Sequence, residues 1–259
     1  MRIKNKEGAI SALCAALSIA AFLLLWQLAS TLSPRVQFIP PPTVVFPAFL
    51  RSFSEPIGVK TMWGHIAASL LRVLAGFCAS AAVGIVVGIA CGRSKVARAI
   101  FNPFVELLRP IPGIAWIPIS ILWFGTGETS KVFILFIASV TMIAVNAHAG
   151  ASSVDEKLIG AARMLGAGDF RVFMTVVLPS CVPQIFAGLQ TGLTITWMTV
   201  VAAEMIRSEY GVGWVITAGN NSYNMTQVMV GILAIGIGGF LLSNLLRLAE
   251  RRLCAWKDG

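Results

Sequence analysis

Glu106 and Arg109 lie three residues apart in a largely apolar stretch, so on a helix they share a face and can pair. Ionisable groups at membrane depth face a cavity or each other. A structural ion pair and a station on a pathway are therefore equal readings. Glu204 closes the apolar run GLTITWMTVVAAE, and Glu128 sits in the turn GTGETS. Either would repel an anion unless it is paired, so both read as structural or gating groups rather than ligands. His65 and His148 stand alone, at no metal-ligand or catalytic spacing, and read as packing or interface residues. Cys14, Cys78, Cys91, Cys181 and Cys254 form no CxxC pair and fall mostly in apolar segments, as small packing residues do. The stretch GASSV is not GxSxG, and no nucleophile–base set offers enzyme chemistry. No GxxxxGK[ST] loop is present to cradle phosphates, so any ATP hydrolysis must come from another subunit. No cofactor or metal is expected in this chain.

One polar stretch remains, GAARMLGAGDFRVFMTVVLP from Gly160 to Pro179. Upstream of it, Ser153-Val-Asp-Glu156 reads as a capping box that starts a helix near Val154. Val154, Leu158, Ala161, Ala162 and Leu165 then follow helical spacing and predict one apolar stripe. Gly166 is expected to end that helix in the left-handed conformation. After Ala167-Gly168, Asp169 can cap a second short helix with Phe170, Phe173 and Val176-Val177 on its apolar side. Pro179 is expected to stop it where the next span begins. A helix pair lying on the bilayer interface explains the stripes. It explains less well a glycine-hinged turn projected into water.

The elements that must carry this turn are membrane spans. Of 259 residues, 57% are hydrophobic and only 12% charged, about half the charged share of a soluble domain. A crossing helix needs about 20 apolar residues. Six candidates appear: 9–32, 66–91, 97–124, 131–150, 180–205 and 227–248. The first is too long for a signal peptide and reads as an uncleaved helix. The third is interrupted by Pro103, Pro110, Pro112 and Pro118, and "RPIPGIAWIP" cannot be continuous helix. Broken backbone at membrane depth is tolerated when buried in protein or lining a cavity. Pro112, Trp116, Ile117, Pro118 and Trp197 are thus candidates for a pathway or gate beside Glu106, Arg109 and Glu204, with ordinary packing as the rival reading.

The net charge of +9 clusters between apolar runs, which encodes topology and argues against nucleic acid. With the N-terminus inside, Arg2, Lys4, Lys6, Arg93, Lys95, Arg98, Lys157, Arg163, Arg171, Arg247, Arg251, Arg252 and Lys257 are cytoplasmic. Arg35, Arg51, Lys60, Lys131 and Arg207 fall outside. Thirteen against five puts both termini and the polar stretch in the cytoplasm. The segment from Ser33 to Met62 is then external, and its "IPPPTVV" is expected to hold an extended polyproline conformation as a stiff spacer. Gly188 and Gly192, four apart, allow close helix approach, within the chain or at a subunit interface.

The polar stretch resembles the cytoplasmic loop of integral-membrane subunits of ABC importers, whose pattern is EAA, three residues, Gly, nine residues, Ile, one residue, Leu-Pro. Here Gly160-Ala161-Ala162, Gly166, Val176 and Leu178-Pro179 match every interval, with Gly160 in place of the acid and Val in place of Ile. In that family the loop docks in a groove on the ATPase. The resemblance thus assigns coupling to Gly160, Ala161, Ala162, Leu165, Gly166, Ala167, Gly168, Asp169, Phe170, Arg171 and Pro179. "LRPIPGIAWIPISILWFGTGETSK", "VVAAEMIRSEYGVGWVI" and "GILAIGIGGFLLSNLLRLAERRLCAW" are similar to the branch importing nitrate, taurine and aliphatic sulfonates, from about Trp63 to Trp256.

What the resemblance implies is an all-α, type I importer-like protein of the cell inner membrane with about six spans. Residues 1–62 would be an N-terminal transmembrane helix plus the proline-rich segment, and 63–259 a permease core with its coupling loop at 152–179. Its partners would be a second copy, two ATP-binding cassette subunits holding ATP and Mg, an external substrate-binding protein and the bilayer. The cargo would be a small anion, moved inward by alternating access. The competing reading is an ion-coupled secondary transporter or channel working without an ATPase, which has no use for the loop pattern.

Overall fold

The computed structural model describes Arg2–Leu32 and residues 38–253, with the side chains of residues 2–12, Arg207 and Leu253 left aside. The positive-inside count therefore draws in part on Arg2, Lys4, Lys6, Arg35, Arg207 and Lys257, which lie outside the described side chains, as does Cys254. Among the described residues eleven α-helices follow one another: α1 (Arg2–Leu32), α2 (Pro42–Arg51), α3 (Met62–Arg93), α4 (Lys95–Leu108), α5 (Ile117–Phe124), α6 (Glu128–Ser152), α7 (Glu156–Met164), α8 (Asp169–Val172), α9 (Leu178–Arg207), α10 (Val212–Asn221) and α11 (Met225–Leu253). The β-structure among the described residues is one isolated bridge between Ile57 and Lys60. The fold is all-α, as expected.

Five segments are long and apolar enough to cross a membrane: Leu13–Leu32, Met62–Arg93, Glu128–Ser152, Asp169–Ile206 and Met225–Arg252. The sixth expected span is not one continuous helix. Lys95–Leu108 and Gly113–Phe124 meet at 94°, with Pro110 and Pro112 in the break, where each removes an amide and blocks the preceding turn. Pro103 is absorbed inside α4, and Pro118 stands at the start of α5.

The proline run behaves differently from the extended spacer expected of it. Pro41 is extended at φ −70°, ψ 156°, but Pro42 begins α2. A helix's first residue needs no N–H, and the fixed proline φ suits that position. Thr43, Val44 and Val45 are therefore helical.

The chain divides into two compact units. Met1–Trp63 with Val215–Ala234 holds α1 and α2. There Phe49, Phe53 and Trp63 stack edge to face at 5.1 and 4.8 Å. The apolar side chains of α1 are mostly exposed, as suits a helix surrounded by lipid.

Gly64–Trp214 with Ile235–Gly259 is organised around α6. Gly76, Gly84, Gly88 and Gly92 form a stripe along α3, and a methyl group at Gly88 would come within 2.4 Å of the Ala144 carbonyl oxygen. Such stripes replace the hydrophobic drive that lipid removes with close backbone contact. Gly188 and Gly192 on α9 do the same, against Asn146 and Ile143, so this pair serves packing within the chain. Val73, Leu135, Leu193, Trp197 and Val200 form a buried cluster in which the Trp197 indole donates to the Ile235 carbonyl at 3.0 Å.

Candidate functional site

Two constructions lie at opposite ends of α9. The first is the loop between α6 and α9. Helix α6 runs on to Ser152, so Ser153 becomes its C-cap and donates to the Gly150 carbonyl at 3.0 Å. The expected capping box therefore does not form. Asp155 caps α7 instead, accepting from the Lys157 amide at 2.9 Å, and an aspartate at this position is as good a cap as serine.

Helix α7 ends as its glycine predicts. Gly166 has φ +82°. The Gly166 amide donates to the Arg163 carbonyl at 2.9 Å and the Ala167 amide to the Ala162 carbonyl at 3.1 Å. Together these bonds make a Schellman turn, and a non-glycine residue would be strained at that φ. Asp169 does not cap α8; it is the first residue of that helix, after Gly168, and pairs with Arg163 at 3.0 Å. Both partners are solvated, so the pair contributes little.

The expected apolar stripe is split between two faces, and Ile159 joins its buried part. Val154, Ile159 and Ala162 turn inward and pack with Val172, Val177, Cys181 and Ile185. Leu158 and Ala161 are exposed. Met164 is 86%, Leu165 89% and Phe170 75% exposed, around the Gly166 turn. Gly160 has open space where a side chain would stand.

Nor does Pro179 stop the second helix. Phe173–Val177 form a π turn in which the Leu178 amide reaches the Phe173 carbonyl, and α8 runs through it into α9. One widened turn accommodates a residue with no N–H. The polar loop is thus bolted to the spans by its inner face, with an apolar tip left exposed.

The second construction surrounds Arg72, a residue the sequence offers only as a charge within a span. Its side chain is 4% exposed. Nε and Nη2 donate to the two oxygens of Glu128 at 2.5 and 2.7 Å, and Nη1 donates to Glu204 at 2.7 Å. Nη1 also reaches the Tyr210 carbonyl at 3.1 Å, and the guanidinium carbon lies 4.8 Å from the centre of the Tyr210 ring. Lys131 adds a contact to Glu128 at 3.0 Å.

Glu204, 1% exposed, is satisfied further by Ser69 Oγ at 2.8 Å and the Gly213 amide at 2.9 Å. Ser69 Oγ accepts the Val212 amide at 3.0 Å, and His65 Nδ1 accepts the Gly211 amide at 3.1 Å. His65 also stacks on Trp214. His65, Ser69 and Arg72, at helical spacing on α3, therefore hold segment 208–214 against the end of α9. Gly211, at φ +124°, leaves no room for a side chain: a methyl would stand 2.4 Å from the Glu204 carboxyl carbon. Both acids read as structural or gating groups are paired, so neither stands as a lone anionic barrier.

The other candidates are dispersed. Ile117 is buried beside Ile134 and Ala203. Pro118 is exposed, and Pro112 precedes the 3₁₀ turn Gly113–Trp116. Trp116 packs edge to face on Phe133, and its indole nitrogen is buried without a hydrogen-bond partner among the described residues. Glu106 and Arg109 share a face but do not pair: Glu106 accepts instead from Asn102, one turn earlier, at 2.8 Å.

The family model described as "Binding-protein-dependent transport system inner membrane component" matches residues 84–254. The chain is 39% identical over 244 residues to a taurine transport system permease protein of Escherichia coli (strain K12), covering 92% of this chain and 88% of that one. It is 33% identical to a nitrate import permease protein of Synechocystis sp., over 91% of this chain and 86% of that one. It is 30% identical to a putative aliphatic sulfonates transport permease protein of Bacillus subtilis (strain 168), over 92% and 86%. In fold it matches an inward-facing structure of the MetNI methionine ABC transporter, with a TM-score of 0.61 at 20% identity, across 74% of this chain and 94% of that one.

Proposed function

The chain belongs to the family of binding-protein-dependent transport system inner membrane components, in the nitrate, taurine and sulfonate branch of ABC importer permeases, and from that membership we propose the following mechanism. Two copies form the translocation path for a small oxyanion, a sulfonate such as taurine or the nitrate ion. An external binding protein delivers the anion, and two ATP-binding cassette subunits on the cytoplasmic side supply the energy. Both termini and the 152–179 loop face the cytoplasm, in keeping with the charge asymmetry.

The observation that carries this reading is the Gly166 turn. Its backbone is fixed by a Schellman motif, its inner face is buried against α6 and α9, and Met164, Leu165 and Phe170 are left exposed. A contiguous exposed apolar tip on a rigid mount fits a partner's groove. ATP binding closes the two cassette subunits, and the turn carries that motion into the spans, which alternate between outward and inward access. The bent pair α4–α5 lines the route, with Pro112, Trp116, Ile117 and Pro118 along it. The unpartnered Trp116 N–H supports this placement, since a buried donor without an acceptor is costly unless something passing can accept from it. Trp197 and Glu204 act by holding α9 in place.

Reconstitution in liposomes tests the reading. The chain alone is expected to hydrolyse no ATP. With its partner subunits, hydrolysis should rise on addition of loaded binding protein, and taurine, an alkyl sulfonate and nitrate are the cargoes to compare. Uptake driven by an ion gradient with no ATPase present would overturn the importer mechanism.

A further inference from the structure

We propose that α3, α4 and α6 form a phospholipid-binding site, with the headgroup held at the end of the bundle that carries the 152–179 loop. The observations are two cavities that share a wall. The first, of about 200 Å³, is lined by Arg98, Asn102 and Glu106 of α4, by Arg109 just past its end, and by His148 of α6; a cavity of that size holds more than a single water. Arg98 is steadied by its bonds to the Cys91 and Gly92 carbonyls at 3.0 and 3.4 Å. No carboxylate pairs with Arg98 or Arg109 among the described residues, and His148 Nδ1 is buried there without a hydrogen-bond partner. Two guanidiniums and an imidazole nitrogen therefore converge on a space that only Glu106, tied to Asn102, opposes.

The second cavity is an apolar groove along Val83, Phe101, Phe104, Leu108, Phe136 and Val140. Val87, Val105 and Ala144 line both cavities. Their order along the chain sets the direction. His148 lies one turn from the end of α6, whereas Phe136 and Val140 lie two to three turns deeper. Helix α4 has the same polarity around its axis. Arg98, Asn102, Val105 and Arg109 make one stripe, Phe101, Phe104 and Leu108 the next, and no residue of the helix is buried. That is the build of a helix lying in the membrane interface. A basic cavity opening into an apolar groove, at the end of the spans, has the charge and polarity of a phosphodiester headgroup with its acyl chain. A free anion has no use for the groove, and a second copy's apolar helix has none for the guanidiniums.

Native mass spectrometry of the detergent-purified importer complex, titrated with phosphatidylglycerol, tests the site. The wild-type complex is expected to keep a lipid adduct that the double variant Arg98→Gln/Arg109→Gln binds about thirtyfold more weakly, at about 1 kcal/mol per arginine. Arg98→Lys/Arg109→Lys should restore binding, and Val140→Trp should weaken it by filling the groove with every charge intact. If the glutamine variant does not fold, as judged by its helical circular dichroism, the lysine and tryptophan variants decide. Equal retention by wild type and Val140→Trp overturns the proposal. So does displacement of the lipid by inorganic phosphate, which would mark a free-anion site. Loss of dimer in Val140→Trp with lipid retention unchanged would assign the groove to a second copy.

Discussion

The two ends of α9 hold themselves together in opposite ways. At the Glu204 end most of the polar side chains are buried, with Glu128 half exposed, and each is satisfied by a neighbour: Arg72 by two glutamates, Ser69 and His65 by backbone amides. At the Gly166 end the shape is set by backbone hydrogen bonds and an apolar inner face, and the charged side chains stand in water. The first end uses its side chains on itself. The second leaves them exposed. A buried charge network fixes one geometry, whereas an exposed turn can be seated and released without breaking its own structure.

The contrast is most severely tested at Arg72. Replacing one partner of a buried pair leaves uncompensated charge, a loss of about 3–5 kcal/mol. Arg72→Gln should therefore lower the thermal midpoint in detergent sharply or prevent accumulation in the membrane. A midpoint within a degree or two of wild type would mean the network does not hold segment 208–214.

A smaller effect on stability, but a large one on transport, is expected at Gly166. A β-branched residue resists φ +82°, at about 1–2 kcal/mol, and misdirects the tip while the spans stay packed. Gly166→Val should express and dimerise normally, release the ATPase subunits on purification and give little uptake. Arg171→Glu, which changes charge without backbone strain, should weaken ATPase retention in the same direction. Full uptake with normal ATPase association in Gly166→Val would reduce the turn to a connector.

The least effect is expected at Arg163. Its bond to Asp169 is exposed, and such pairs contribute about 0.2–1 kcal/mol. Arg163→Ala should leave the thermal midpoint nearly unchanged at ordinary ionic strength. A drop comparable to that of Arg72→Gln would erase the difference between the two ends.

How far the sequence could be read follows the same division. The Gly166 turn was legible because its signals are local: a left-handed glycine at fixed spacing from alanines, in a polar island between spans. The broken third span was legible from its prolines. The inward face of α7 was legible only in part: Val154 and Ala162 were read into the stripe, but Ile159 satisfies helical spacing as well as Leu158, Ala161 and Leu165 do, and burial chose between them. Ser153 and Asp155 were both competent caps, and the length of α6 decided. Pro179 read as a stop because a π turn leaves no mark in local pattern. The Arg72 network joins residues 56 and 132 positions apart, which spacing cannot show. One signal was available: a lone arginine in an apolar span needs an acid, and Glu128 and Glu204 stand next to the ends of other apolar runs.

The π turn has a mechanical consequence. Because α8 passes through it into α9, Asp169 and Glu204 stand on one helical rod of about 50 Å at 1.5 Å per residue. A rod of that length pivoting about its middle turns a tilt of about 5° into about 2 Å of travel at either tip. The two tips move in opposite senses. On the coupling proposed above, a push at the Gly166 turn would be a torque on the Arg72–Glu204 contact, with no relay of side chains needed between them.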